Sequence, residues 1–181
     1  MSDTRETLQR QGFEPSLHAR WYRDEDHFAR ECRDIFGREW LCVAREEDLA
    51  QAGDHRLFDL QGESVLLLRN GEGRLRAFYN VCRHRGAQLC AVAEDPHGAG
   101  LRGGVLGGRL IRCPYHAWTY DLDGWLVNAP FMDDQAGFEA GEIALHPVGV
   151  ACWGGFVFLL SLIHISEPTR PFTLSRMPSS A

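Results

Sequence analysis

Cys82-Arg83-His84-Arg85-Gly86 and Cys113-Pro114-Tyr115-His116-Ala117-Trp118-Thr119-Tyr120-Asp121 decide how this chain is read. Each stretch places one thiol and one imidazole within a single tight loop. Thiolates are soft ligands and imidazole suits several transition metals, so the two loops together offer a mixed sulfur–nitrogen metal site. Three readings are open on these residues: an iron–sulfur site, a structural zinc module, or four unconnected residues with Cys82 and Cys113 as small buried hydrophobes. Structural zinc sites usually open with two cysteines two to four residues apart, and neither loop does. A Cys and a His with one residue between them fit poorly as two corners of one tetrahedron. They fit better when each loop sends one ligand to each of two metal ions.

The two loops, C-R-H-R-G and C-P-Y-H-A-W-T-Y-D, resemble the N-terminal Rieske domain of the large (alpha) subunit of ring-hydroxylating-type non-heme iron oxygenases. The resemblance implies a mainly β, antiparallel Rieske iron–sulfur fold with an N-terminal helical extension. It also implies a [2Fe–2S] cluster held by Cys82, His84, Cys113 and His116, cysteines on one iron and histidines on the other. Rieske proteins of respiratory complexes resemble this pattern but carry a further cysteine in each loop, and the two pair as a disulfide. Here those places read Ala87 and Tyr115. The other cysteines, Cys32, Cys42, Cys90 and Cys152, lack regular spacing and are expected as reduced, mostly packed thiols.

Residues 17–22, 28–40 and 152–159 extend the likeness beyond the β core that free Rieske ferredoxins resemble. A stand-alone ferredoxin is therefore the alternative, and the oxygenase fragment is favoured. For intact family members the resemblance implies electrons from an NAD(P)H-dependent reductase or a ferredoxin. These reach the cluster and then a mononuclear Fe(II) held by two histidines and a carboxylate. That second site is missing here, so the oxidoreductase component is expected to exchange electrons but to be inactive on substrates by itself. Full-length subunits of this kind assemble as homo-oligomers. The loops look like those of members acting on quaternary amines as well as on aromatic acids.

The far end of the chain reads differently. From Leu160 the text L-S-L-I-H-I-S-E-P-T-R looks like translated sequencing-adapter DNA, and 160–181 are expected to be a non-native, disordered tail. The expected organisation is an extension over 1–39, the Rieske domain over 40–159, and that tail. Residues 1–159 hold 17 arginines against 24 carboxylates, a formal −7, and no lysine. Such a balance offers no phosphate footprint for nucleic acid. No apolar run is long enough for a membrane span, and the N-terminus lacks a signal core, so a cytoplasmic location is expected.

Asp24-Glu25-Asp26 is expected to cap an amphipathic helix running to Glu39, with Phe28, Cys32, Ile35 and Phe36 on one face. Strands are expected over 40–44, 55–60, 64–69, 75–81, 109–112, 117–120, 125–128, 143–150 and 155–159. Asn70-Gly71-Glu72-Gly73 and Asp121-Leu122-Asp123-Gly124 read as hairpin turns. The glycine-rich stretch 93–108 reads as a surface loop. Its G-A-G-L-R-G only formally matches a dinucleotide fingerprint, because no strand precedes it and no helix follows. Gly86 and Pro114 suit tight turns that aim N–H groups at the sulfurs, with Tyr115 and Trp118 expected to shield the site or hydrogen-bond near it, plain core packing being the even alternative for Trp118. His97 is expected to be exposed and not a ligand.

Overall fold

The computed structural model describes residues 16–90, 105–106, 109–132 and 137–160. The stretch from 161 onward, His97 and most of the glycine-rich segment lie outside the described residues. A single 3₁₀ turn, Ala19–Tyr22, precedes helix α1 (Glu25–Glu31). Asp24 caps α1, its Oδ1 accepting from the His27 N–H at 2.9 Å, and Glu25 and Asp26 favour the positive end of the helix. The helix is shorter than its sequence period suggests. The backbone widens into a π turn over Cys32–Phe36 and stops at Gly37, whose N–H bonds the Cys32 carbonyl at 2.8 Å. Phe28 and Ile35 on the expected apolar face are exposed.

Among the described residues ten strands follow: β1 (Leu41–Arg45), β2 (His55–Leu60), β3 (Glu63–Arg69), β4 (Leu75–Tyr79), β5 (Val105–Leu106), β6 (Leu110–Arg112), β7 (Thr119–Asp121), β8 (Leu126–Asn128), β9 (Gly149–Trp153) and β10 (Phe156–Leu160). They form three antiparallel sheets, ordered β1-β10-β9, β2-β3-β4 and β5-β6-β7-β8. Strand β3 explains the layering. Its V-L-L-L run is buried on both faces, and side chains alternate across a strand. Val65 and Leu67 enter a core with Val157 and Leu159 of β10, whereas Leu66 and Leu68 enter a core with Ile111, Tyr120 and both loop cysteines. Strand β4 repeats the pattern, with Ala77 and Tyr79 on the first side and Phe78 on the second. Each fully buried aliphatic side chain contributes about 1.5–3 kcal/mol, so the central sheet anchors both layers.

Two sequence expectations need correction. Part of the presumed 93–108 loop is strand, since β5 pairs with β6 through Val105 opposite Ile111 and Leu106 opposite Leu110. Conversely, 143–150 is not one strand. Ala144 and Pro147 make isolated bridges to Trp125 and Phe78, and laddered pairing starts at Gly149. Pro147 has no N–H to contribute to a ladder.

Both expected hairpin turns form, and side chains join them. Asn70 is fully buried. Its Oδ1 accepts from the Glu72 and Arg74 N–H groups, and its Nδ2 donates to Asp123 Oδ1 at 2.8 Å. Arg76 Nε donates to the same oxygen at 2.7 Å. Burial works to raise the Asp123 carboxyl, but the bonds from Arg76 and Asn70 outweigh it and hold it below the usual range. A depressed carboxyl contributes stability that is present above its unfolded value, about 3.9, and lost as pH falls through its lower folded value. Asp123→Asn is therefore expected to flatten the acid limb of the stability–pH curve, measured by urea unfolding between pH 7 and acid. An unchanged acid limb would remove Asp123 from this role.

Candidate metal centre

Cys82 follows the end of β4, and Cys113 follows β6. From each, the chain closes the same small frame. The Cys82 N–H donates to the Ala87 carbonyl at 2.8 Å and its carbonyl accepts from the Gly86 N–H at 3.0 Å. The Cys113 N–H donates to the Trp118 carbonyl at 2.8 Å and its carbonyl accepts from the Ala117 N–H at 3.1 Å. In both loops the fourth residue after the cysteine is left-handed: Gly86 at φ +69° and Ala117 at φ +57°. Only the histidine differs, standing second after the cysteine in one loop and third in the other. Alanine in a left-handed conformation carries a cost that glycine avoids. Ala117→Gly is thus expected to stabilise the domain by about 0.5–1 kcal/mol, read as a higher urea midpoint. A lower midpoint would show that the alanine methyl is needed.

The frame sorts the four side chains by depth. Cys82 and Cys113 are each 3% exposed, free, and close enough to interact with one another. Burial pushes the Cys82 thiol up, while the Tyr120 hydroxyl and the His84 N–H pull it down and Cys113 pushes it up again. His84 is half-buried and His116 exposed. Their rings meet edge to face with centroids 4.9 Å apart. Burial, then His116 and Arg85, lower the proton affinity of His84. All four residues singled out in the sequence are thus gathered at one tip, thiols inward and imidazoles outward. Among the described residues, no three His, Cys, Asp or Glu close on a single point as one metal ion would require.

The expected shield divides in two. Trp118 is buried and lies flat on His84, centroids 4.7 Å apart at 10°, with its other contact edge-on to Phe138. It is both cover and core. Tyr115 lies against His116 but is 61% exposed, so it rims the site and does not seal it. Of the four other cysteines, Cys90 is buried and Cys32 half-buried, whereas Cys42 and Cys152 are exposed residues, the Cys152 thiol itself being partly covered.

Sequence reasoning missed Tyr120. Its hydroxyl lies 3.2 Å from Cys82 Sγ and accepts from the Arg83 N–H at 3.1 Å. The oxygen accepts there, and its own proton is available to the sulfur, although either partner of that contact can donate. Burial, then the bond to Cys82, hold this phenol well above its usual range, so it remains a donor. The signal was available: Trp118, Tyr120 and Leu122 share one inward face at period two.

A profile of the Rieske [2Fe-2S] domain matches residues 39–147. The chain belongs to the Rieske [2Fe-2S] domain family. Its Rieske relatives include the carnitine monooxygenase oxygenase subunit of Escherichia coli (strain K12), 39% identical over 144 residues, which cover 80% of this chain and 36% of that protein. The glycine betaine monooxygenase oxygenase subunit of Chromohalobacter salexigens is 39% identical over 153 residues, covering 83% of this chain and 31% of that one. Among solved structures, the quaternary ammonium Rieske monooxygenase CntA in complex with L-carnitine matches with a TM-score of 0.68 and 33% identity. That match covers 88% of this chain and 41% of that chain. The chain therefore spans about a third of the length of these curated relatives. The mainly antiparallel β architecture with a short N-terminal helix agrees with the sequence expectation. The donor chemistry also fits the family's cluster: two buried, unbridged thiols and two outward imidazoles share the tip, with the Tyr120 hydroxyl and the His84 N–H beside the Cys82 sulfur.

Proposed function

We propose that this chain is the electron-transfer module of a Rieske oxygenase large subunit, with Cys82 and Cys113 holding one iron and His84 and His116 the other. The gathering of two buried thiols behind two outward imidazoles carries this reading. When bound, the cluster takes up and releases one electron. The chain's own residues do the rest. Trp118 packs on His84 and fixes its ring, the Arg83 N–H orients the Tyr120 hydroxyl, and that hydroxyl stabilises negative charge on the Cys82 sulfur. The exposed His116 edge is the shortest way in or out for an electron. Residues 40–159 form the module and 1–39 its extension. Electrons come from an NAD(P)H-dependent reductase or a ferredoxin, and the parent subunit works as a homo-oligomer. Its substrate class is a quaternary ammonium compound, a reading supported by the relatives at 39% identity. By itself the chain oxidises no substrate, because the second iron site of the family lies outside it.

The test is metal and sulfide analysis of the full chain, produced with ample iron and purified without air, plus the electron paramagnetic spectrum after dithionite reduction. Two irons, two sulfides and a Rieske-type signal are expected. One zinc without sulfide would make the module structural. Tyr120→Phe should keep the cluster but lower its potential by about 65 mV, since one charge-assisted hydrogen bond is worth about 1.5 kcal/mol and a one-electron couple moves 59 mV per tenfold. An unchanged potential would mean that the hydroxyl does not point at the sulfur.

A further inference from the structure

Both ligand loops close the same frame around their cysteine, but the chain behind each frame is held differently. Behind the second loop, β6 and β7 run on as a ladder: Arg112 pairs with Thr119, Ile111 with Tyr120 and Leu110 with Asp121. The matching places around the first loop are Val81 and Gln88, Asn80 and Leu89, and Tyr79 and Cys90. Val81 and Gln88 form an isolated bridge, and no ladder continues from it among the described residues. The Asn80 N–H is turned to the Ser64 carbonyl of β3 at 2.8 Å. The rung between Asn80 and Leu89 therefore keeps a single long bond, from the Leu89 N–H to the Asn80 carbonyl at 3.4 Å.

The side chain of Asn80 supplies what the backbone does not. Asn80 is buried, 3% exposed. Its Oδ1 accepts from the Cys90 N–H at 2.8 Å, and its Nδ2 donates to the Cys90 carbonyl at 2.6 Å. Nδ2 also donates to Ser64 Oγ at 3.0 Å. One carboxamide thus exchanges two bonds with a single residue's backbone, as a neighbouring strand does, and ties the return limb of the first loop to β3. Opening this clamp would strand buried polar groups, which is costly. In the second loop the same place is held by Ile111, an aliphatic side chain in the core, and there the ladder does the holding.

We propose that Asn80 is a positioning residue for the metal centre, a role that rests on the electron-transfer reading above. Its carboxamide replaces the missing rungs and holds Cys82 and His84 in place opposite Cys113 and His116. The second loop keeps its ligands through backbone pairing, whereas the first depends on a side chain that one substitution removes. Without the clamp, the Val81–Gln88 bridge and the bond from the Cys82 N–H to the Ala87 carbonyl remain. The chain then folds, but the first loop opens more often and releases its ligands.

The experiment follows iron release from the dithionite-reduced full chain to excess bathophenanthroline disulfonate, without denaturant. The electron paramagnetic spectrum and the urea midpoint of the metal-free chain are recorded beside it. Asn80→Ala is expected to release iron about tenfold faster than the parent, the factor carried by one or two net hydrogen bonds, and to broaden and shift the reduced signal. Val157→Ala is the control, because it opens space in the core that holds neither loop cysteine. It should lower the urea midpoint at least as much, yet leave release and spectrum as in the parent. Asn80→Asp serves if the alanine variant does not fold: it keeps the shape and the acceptor for the Cys90 N–H but loses the donors, and iron release about threefold faster is expected. Release from the Asn80 variant within about twofold of the parent, or an equal rise in Val157→Ala, overturns the positioning role and leaves the electron-transfer reading intact. Failure of both Asn80 variants to fold overturns it too, since Asn80 then holds the whole fold and not the loop. A parent chain without iron and sulfide overturns both readings.

Discussion

Gly124→Ala is expected to remove much of this domain's stability, with a marked fall in its urea midpoint. Gly124 closes the hairpin between β7 and β8 at φ +89°, and a Cβ there would stand 2.5 Å from Phe78 Cε1. Two costs therefore combine: about 1–2 kcal/mol for a left-handed non-glycine residue and about 1–3 kcal/mol for overpacking a filled core. A small domain has only about 5–15 kcal/mol to lose. The turn cannot move aside easily. Asp121 Oδ1 accepts from the Asp123 and Trp125 N–H groups at 2.9 Å each, and the Gly124 carbonyl accepts from the Leu145 N–H at 2.8 Å. Gly71, at an open turn position, is the control, and Gly71→Ala should change the midpoint little. Adding Phe78→Leu to Gly124→Ala should restore part of the loss by making room. A midpoint for Gly124→Ala within error of the parent would refute the close approach of turn and ring.

Complete loss of cluster retention is expected for both Cys82→Ser and His116→Ala, measured as iron and sulfide per chain. The two variants differ in their effect on the fold. Cys82 is buried, so a serine hydroxyl there must find a partner or cost about 1–3 kcal/mol. His116 is exposed, and its removal should leave thermal unfolding of the metal-free chain nearly unchanged. His116→Ala is for that reason the cleaner test of ligation. His97→Ala should retain the cluster. A normal signal from His116→Ala would break the assignment of the four ligands.

The four proposed ligands stood out in the sequence because such chemistry demands particular residue types at short spacing within one loop, and the structure gathers them at one tip. The two glycine-bearing hairpin turns and the cap at Asp24 were legible for the same reason, since each depends on neighbours along the chain. What escaped depends on the third dimension. The V-L-L-L run of β3 announces a strand, but only the stacking of β10 on one side and β7 on the other explains why both of its faces are apolar. The helix outran its true length because apolar spacing continues to Phe36 while the backbone has already widened into a π turn. The stretch 143–148 lies outside any ladder, because Pro147 interrupts it, and pairing begins only at Gly149. Tyr120 was passed over because a tyrosine in a strand reads as core. Only the approach of its hydroxyl to a cysteine thirty-eight positions earlier gives it chemistry.

The depth ordering of the tip bears on how the protein can be handled and assayed. Solvent reaches nitrogen before sulfur, so alkylating reagents should find Cys42 first. Cys152 should follow, its thiol held up by burial and then by Glu46. Cys82 and Cys113 stay out of reach while the loops remain closed. Counting labelled thiols by intact-mass spectrometry then gives a stopwatch for decay of the centre. The first adducts report only surface chemistry, and the appearance of label at Cys82 or Cys113 times the opening of the site itself.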